Sequence, residues 1–314
     1  MDSDHTPASA PPAPPAPPAR PSRRALIGRV LLFVLLLAAS VLVVNLAWRL
    51  LGIPRPRVGG AIQPVPFFAF MLVVSAFTVG VAAFVLRRTE GRSLAALGLS
   101  VGRGTPGAIA AGALAGFLPV GVTAALALAF GYGTIAPAGG DAGWLAGTLT
   151  PFLLGTTLIS MWEEIVWRGY MLHVLEQGPG RWAAVLLTAF LWAGGHLAND
   201  GATPLGLLPT ALSGVVLAWI VLRTGSLWFA FAYHVAWNVS SIHVLGLTTS
   251  GFLESASFLR TDLHGPAWLI GGAYGFEASL PTACLDIATL ATILYFVTRS
   301  RSASDPSGPP APPR

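Results

Sequence analysis

Three charged residues lie within six positions of the stretch Ser160–Tyr170, which reads SMWEEIVWRGY and otherwise resembles a membrane helix. They are Glu163, Glu164 and Arg168. A charge at the centre of a membrane helix costs on the order of 3 kcal/mol on insertion scales, so such charges pair inside the protein and mark functional sites by default. The i, i+4 spacing allows Glu164 to pair with Arg168, whereas Glu163 lies about 100° round the helix from Glu164 and can point elsewhere.

Two further apolar segments carry polar residues that can act on a carbonyl group. His196 ends the sequence FLWAGGH, and His234 and Asn238 share one helix face in HVAWN. A carboxylate and a neutral imidazole that share a water can remove its proton as the water attacks a carbonyl carbon. A second imidazole and a carboxamide can donate hydrogen bonds to the resulting oxyanion. One acid, two histidines and one asparagine are therefore sufficient to hydrolyse a peptide bond without a covalent nucleophile.

Two other interpretations of these residues stay open at this stage. Zinc binds histidine nitrogen and glutamate oxygen, and the ligands Glu163, His196 and His234 would leave one open coordination position. Alternatively, the polar groups satisfy one another as a buried cluster that holds the helices together. The number of polar groups at similar depth favours a functional site over a purely structural cluster.

The composition indicates an integral, multi-pass membrane protein. Hydrophobic residues make up 54% of the 314 residues and charged residues 10%, whereas soluble domains carry roughly 25% charged residues. Apolar runs of spanning length recur along the chain, so we expect an all-α membrane protein with about eight transmembrane helices. Their approximate ranges are 25–51, 65–86, 106–130, 143–176, 182–199, 204–222, 226–248 and 281–298. A rise of ~1.5 Å per residue places the polar groups of helices four, five and seven roughly 14 to 22 Å from the inner ends of those helices.

The distribution of arginine predicts the orientation. All eighteen basic residues are arginine. With the amino terminus inside, thirteen fall in inner segments and four in outer segments, and the remaining one, Arg168, lies in the motif. This asymmetry favours both termini in the cytoplasm. The absence of lysine beside abundant arginine and alanine suggests a bacterial genome, and hence the bacterial plasma membrane. The net charge of +5 reflects these topology signals and does not indicate nucleic-acid binding.

The chain divides into six parts on this basis. We expect disordered, Pro-rich tails at 1–22 and 299–314, three N-terminal helices in 23–142, a four-helix core in 143–248, an extracytoplasmic loop at 249–280 and a last helix at 281–298. The tails are too rich in proline to form a core. The loop is expected to lie along the outer surface as a partial cover.

Other features of the sequence indicate no further chemistry. The signatures HExxH, GxSG and GxGD are absent, which disfavours metalloprotease, rhomboid and aspartic intramembrane protease classes. Asp286 is expected near the outer end of the last helix, where it can reach the membrane interface; an interface or packing role is expected rather than a catalytic one. The tryptophans that flank the polar positions are expected to be packing walls; they are Trp162, Trp167, Trp192 and Trp237.

Three motifs, in this order, resemble those of the CPBP family, the CAAX-protease and bacteriocin-processing group, also called Abi. The sequence EEIVWRGY at 163–170 resembles the family's EExxxR, WAGGH at 192–196 resembles FxxxH, and HVAWN at 234–238 resembles HxxxN. The resemblance covers about residues 143–248. Trp192 stands where phenylalanine is usual and keeps an aromatic ring at that position.

The resemblance implies an intramembrane endopeptidase similar to type II CAAX prenyl endopeptidases, with a conical polar cavity among helices four, five and seven. By analogy, Glu163 and His196 would activate the water, and His234 and Asn238 would form the oxyanion hole. Glu164 and Arg168 would hold the geometry. The resemblance favours a glutamate-dependent site without a metal over a zinc site. Bacterial relatives generally lack prenylated CAAX proteins, so the expected partners are a membrane-associated peptide or protein substrate and the lipid bilayer.

Two non-proteolytic functions compete with this hypothesis. The first is a non-catalytic membrane scaffold or immunity-type protein that keeps the fold; it has no need of the complete polar set. The second is a transporter, but the sequence shows no internal repeat and no inverted pair of broken helices.

Overall fold

A computed structural model describes residues 21–54, 56–58, 61–252 and 256–304. A helix lies in each of the eight predicted segments. They are α1 (Arg23–Leu50), α2 (Pro64–Glu90), α3 (Thr105–Ala129), α4 (Ala142–Glu176), α5 (Arg181–Gly195), α6 (Leu208–Thr224), α7 (Trp228–Asn238) and α8 (Leu280–Ser304). Short helical turns lie at Leu94–Leu97, His196–Ala198, Ala267–Ile270 and Phe276–Ala278.

Five of these helices, α1, α2, α3, α4 and α8, are long and apolar enough to cross a membrane. Helix α6 is apolar but has 17 residues, and α5 and α7 are shorter still. The helices therefore support an integral, mainly α-helical membrane protein, while eight crossings stay a prediction. The outward side chains of α1 fit this assignment, since Leu42 is 69% exposed. The predicted tails lie outside the described residues except for 21–22 and 299–304, and α8 continues past its predicted end to Ser304.

Helix α4 is continuous from Ala142 to Glu176 when the two π-helical segments within it, Leu145–Leu149 and Ile165–Met171, are included. Asp141 begins the helix by accepting a hydrogen bond from the backbone N–H of Trp144 at 2.8 Å. Helix α7 likewise continues into a π-helical segment, Val239–Val244. Such segments are rare and are frequent at functional sites. Ile165–Met171 begins directly after Glu164, and Val239–Val244 begins directly after Asn238, so both helices change their helical geometry beside candidate groups.

Helix α7 packs directly against the backbone of α3. A Cβ atom at Gly112 would lie 2.3 Å from the carbonyl oxygen of Phe229, and one at Gly116 would lie 2.2 Å from that of Tyr233. Only glycine permits this approach, which is the small-xxx-small contact typical of membrane helices. The contact fixes α7, and hence its polar residues, against the N-terminal helices.

Two small antiparallel sheets depart from the all-α expectation. Strands β1 (Arg57–Val58) and β2 (Ala61–Ile62) form one, and β3 (Gly133–Pro137) and β4 (Leu259–Leu263) form the other. Strand β4 lies in the segment that we expected to be a loop. That segment is therefore tied to the end of α3, in keeping with a cover over one end of the helices.

Candidate active site

The two adjacent glutamates of α4 face different environments. They are the last α-helical residues before the π-helical segment of that helix. The side chain of Glu164 is fully buried, whereas Glu163 lines a cavity of about 390 Å³. This separation follows from the 100° step between neighbouring helix positions, and it gives the two carboxylates different surroundings.

Glu164 is the centre of a buried polar network. Its Oε1 accepts a hydrogen bond from Arg168 Nη1 at 2.8 Å and lies 2.9 Å from His234 Nδ1. The guanidinium of Arg168 also lies over the ring of Trp192, at 3.8 Å from the centroid. Gly214 on α6 makes room for it, because a Cβ atom there would lie 3.1 Å from Arg168 Nη2. The i, i+4 pair predicted from spacing is therefore present, and it also contacts α7 and α5.

Trp192 connects four of the candidate residues. Its indole Nε1–H donates to Glu163 Oε2 at 2.5 Å, and its backbone carbonyl accepts a hydrogen bond from His196 Nδ1 at 3.0 Å. Its ring meets the rings of His196 and His234 edge-on, with centroids 5.6 and 5.8 Å apart. The prediction that Trp192 is a packing wall therefore missed a polar role. The phenylalanine that is usual at this position has no N–H, so the resemblance gave no sign of this hydrogen bond.

The hydrogen bonds of the two histidines define which ring nitrogens are available. A carbonyl oxygen can only accept, so His196 Nδ1 carries the hydrogen and its Nε2 is left as an acceptor in the neutral ring. An ionised carboxylate also only accepts, so His234 Nδ1 carries the hydrogen towards Glu164. The Nε2 atoms of both rings are then left for the cavity.

Asn238 is held by a serine that sequence reasoning did not single out as part of the site. Its Nδ2 donates to Ser160 Oγ at 3.0 Å, and Ser160 Oγ donates to the carbonyl oxygen of Thr156 at 2.8 Å. Ser160 lies three residues before Glu163, close to the same face of α4. That spacing is the one sequence signal that could have identified it.

Four predicted site residues meet at one cavity, and two lie behind it. Glu163 from α4, His196 from the turn after α5, and His234 and Asn238 from α7 all line the cavity. Glu164 and Arg168 do not line the cavity. Instead, Glu164 contacts His234 and Arg168 contacts Trp192 within the buried part of the protein. The other walls are largely apolar and come from α2, α4 and the segment after α7; they include Phe67, Phe152, Trp162, Trp167 and Phe252. Four further polar residues line the cavity: Thr156, Asn199, Thr249 and Ser250.

The alternative zinc ligands do not form a metal site in this arrangement. Within the part of the chain that the structure describes, no group of three or more His, Cys, Asp or Glu side chains could hold a metal ion. Glu163 is hydrogen-bonded to Trp192, and His234 to Glu164. We therefore derive no step through zinc.

Replacing Trp192 with phenylalanine tests the role of its indole N–H. Phenylalanine keeps the aromatic packing on Arg168 but leaves Glu163 without this donor. We expect kcat of the endopeptidase reaction that the sequence predicts to fall by about tenfold, because a neutral hydrogen bond is worth roughly 0.5–1.5 kcal/mol and one to a charged group roughly 1.5–3 kcal/mol. KM and the thermal midpoint should change little. An equal loss in Trp228→Phe, whose Nε1 donates to the carbonyl oxygen of Ser100 instead, would contradict a specific role for Trp192.

The described helices are those of an integral membrane protein, and acid, imidazole and amide side chains line one cavity. Residues 145–240 match the family model described as "Type II CAAX prenyl endopeptidase Rce1-like". The match contains all three motifs and confirms the family resemblance over that segment. No curated protein matches the chain. At the level of the family, the match supports a CAAX-type intramembrane protease.

Proposed function

We propose that this protein is an intramembrane endopeptidase that hydrolyses peptide bonds of membrane-associated peptides or proteins. The observation that carries the proposal is the convergence of Glu163, His196, His234 and Asn238 from three helices on one cavity wall. The cavity, at about 390 Å³, is within the size range of ligand-binding pockets.

Glu163 and His196 are suited to activate a water molecule. Trp192 holds Glu163 through Oε2, which leaves Oε1 to accept a proton. The bare Nε2 of His196 accepts the second hydrogen of the same water and orients it. As the water oxygen bonds to the carbonyl carbon, its proton passes to Glu163 and the carbonyl π electrons move to oxygen.

His234 and Asn238 are suited to stabilise the oxyanion. Asn238 Nδ2 has two hydrogens, of which one is donated to Ser160 and one is left to donate. His234 Nε2 donates when the ring is doubly protonated, and the carboxylate of Glu164 at Nδ1 balances that charge. Glu163 then returns its proton to the amide nitrogen as the C–N bond breaks, and a carboxylic acid and an amine are released.

The apolar walls of the cavity indicate an apolar substrate segment. The aromatic side chains of Phe67, Phe152 and Trp162 also line the cavity, and such surfaces favour apolar chains over charged ones. A membrane-associated peptide or protein fits this chemistry. We place the site in the bacterial plasma membrane with both termini cytoplasmic, on the basis of the arginine asymmetry.

Comparative membrane proteomics of wild type and Glu163→Ala tests the proposed function. Peptides that span an uncut site should accumulate only in the variant, and their shorter products should be lost. Glu176→Gln serves as the control, because Glu176 lies on the same helix but pairs with Arg181 at the surface. If every motif variant kept the wild-type peptide profile and phenotype, a non-catalytic scaffold or immunity-type function would replace the proposal.

Removal of metal ions is expected to leave activity intact. The proposed steps use only carboxylate, imidazole and amide groups, so purified protein in proteoliposomes should cleave its substrate equally well with and without a strong zinc chelator. Metal analysis should find less than one zinc per chain. Loss of cleavage that added zinc restores would instead support Glu163, His196 and His234 as ligands.

A further inference from the structure

A second, smaller cavity adjoins the main cavity of the candidate site. Its volume is about 40 Å³. We call it the side chamber; its lining includes Thr210 and Ser213 of α6, Tyr233 of α7, and Ala283 and Asp286 of α8, and Trp192, Pro209 and Trp237 add apolar surface. His196, His234 and Asn238 line both cavities. The side chamber and the main cavity therefore share three of the proposed catalytic groups.

The side chamber is built around a buried carboxylate. Asp286 is only 2% exposed, so of the two structural uses expected for it, interface or packing, its burial favours packing. Its Oδ1 accepts a hydrogen bond from Tyr233 at 2.8 Å, and its Oδ2 accepts one from Ser213. A carboxylate offers about four lone-pair sites. Two of these sites are used by protein donors, and the others are left for a small donor in the side chamber.

The size and lining of the side chamber fit water. A water molecule needs roughly 10–15 Å³ of such volume and two to four polar partners. The volume of about 40 Å³ therefore holds about two to three waters. The hydroxyl groups of Thr210, Ser213 and Tyr233 and the carboxylate of Asp286 supply the partners.

The side chamber also leads towards the end of the molecule that carries the 249–280 segment. Ser250 and Glu277 line it there, and Ser250 Oγ donates to Glu277 Oε1 at 2.8 Å. Both residues are half-buried. Ser250 and Glu277 thus supply polar groups along which water can reach the side chamber from that end.

We propose that the side chamber is a hydration site that delivers the hydrolytic water to His196 and the scissile carbonyl. This inference rests on the proposed function. Each cleavage consumes one water, and an apolar substrate in the main cavity displaces water from its apolar walls. A separate pocket that shares the two histidines with the main cavity keeps the reaction supplied while the substrate is bound.

Filling the side chamber tests the proposal. Ala283→Leu places an apolar side chain in it, and Ala288→Leu, on the exposed side of the same helix, is the matched control. We expect kcat to fall tenfold or more in Ala283→Leu, with KM and the thermal midpoint unchanged, and Ala288→Leu to match the wild type. An internally quenched peptide with a farnesylated cysteine near its carboxyl terminus, or the uncut peptide found by proteomics, is the probe. Unchanged kcat in a folded Ala283→Leu protein would overturn the proposal.

Radiolytic hydroxyl-radical labelling measures the water without any substrate. Tyr233 is buried, so water in the side chamber should label it in the wild type and about fivefold less in Ala283→Leu. Labelling of the exposed Tyr132 should not change.

A second variant serves if Ala283→Leu does not fold. Thr210→Val removes one hydroxyl that can bind water, while valine keeps nearly the shape of threonine. This variant should lower both the labelling of Tyr233 and kcat. Unlabelled Tyr233 in the wild type, or equal labelling in the folded variants, would overturn the hydration site, whereas full activity of Glu163→Gln would overturn the proposed function alone.

Discussion

Glu163→Gln is expected to lower kcat for peptide-bond cleavage by roughly 10²- to 10⁴-fold, the range that general base catalysis contributes. The amide keeps the shape of the side chain and can accept the indole hydrogen bond of Trp192. It cannot take a proton from water at neutral pH. The loss should therefore fall on kcat, with little change in KM. Initial rates of proteoliposomes over a range of substrate concentrations give both constants.

The control for this variant lies on the same helix. Glu176→Gln removes a carboxylate whose partner Arg181 is 62% exposed, so its activity should equal that of the wild type. Thermal unfolding of both variants should match the wild type, because neither substitution changes side-chain volume. Cleavage by Glu163→Gln within about threefold of wild type would contradict the role of Glu163 as the base.

Arg168→Met is expected to destabilise the protein by about 3–5 kcal/mol, the usual cost of removing one partner of a buried ion pair. The substitution keeps much of the side-chain volume. It leaves the carboxylate of Glu164 buried without its guanidinium donor, and it removes the cation–π contact on Trp192. Equilibrium unfolding in mixed micelles, followed by tryptophan fluorescence, measures the change.

Arg181→Met provides the comparison, because Arg181 pairs with Glu176 in an exposed ion pair. Exposed pairs contribute about 0.2–1 kcal/mol, so this variant should stay within 1 kcal/mol of wild type. A Glu164→Gln, Arg168→Met double variant removes both charges and should recover part of the lost stability. Equal destabilisation by Arg168→Met and Arg181→Met would show that the buried network does not hold the site together.

The positions of the helices could be predicted from the sequence because long apolar runs identify them locally. The motif glutamates, histidines and asparagine stood out for the same reason, since each is a costly polar group in an apolar run. The prediction that they lie at one cavity used only their similar depth along the helices and the helix faces that they share. Depth and helix face follow from the local sequence, so hydropathy and spacing are sufficient to find them.

Other parts of the fold depend on contacts between distant segments. Strands β3 and β4 pair residues that are more than one hundred positions apart, and neither strand has a strong local signal. The π-helical segments after Glu164 and Asn238 depend on how the backbone hydrogen bonds shift by one residue. Neither feature can be read from apolar periodicity.

The polar roles of Trp192, Ser160 and Asp286 were hidden for a related reason. An indole N–H, a hydroxyl and a single carboxylate each have an ordinary structural use in membrane helices. Only the neighbours show that the N–H of Trp192 reaches Glu163 and that Ser160 holds Asn238. Asp286 was expected to have only an interface or packing role, because its place along α8 was considered without the polar groups of α6 and α7 that contact it.

The central claim is that these side chains hydrolyse a peptide bond with water inside the membrane protein. Mass spectrometry of the purified protein in proteoliposomes, incubated in H₂¹⁸O with the uncut peptide identified by proteomics, tests it most directly. Hydrolysis by a water that Glu163 activates should give two products whose masses sum to that of the peptide plus one water, with ¹⁸O in the new carboxyl group. The same peptide should stay intact with Glu163→Gln and be cut normally with Glu176→Gln. An intact peptide with the wild-type protein, or equal cleavage by Glu163→Gln, would contradict hydrolysis with Glu163 as the base.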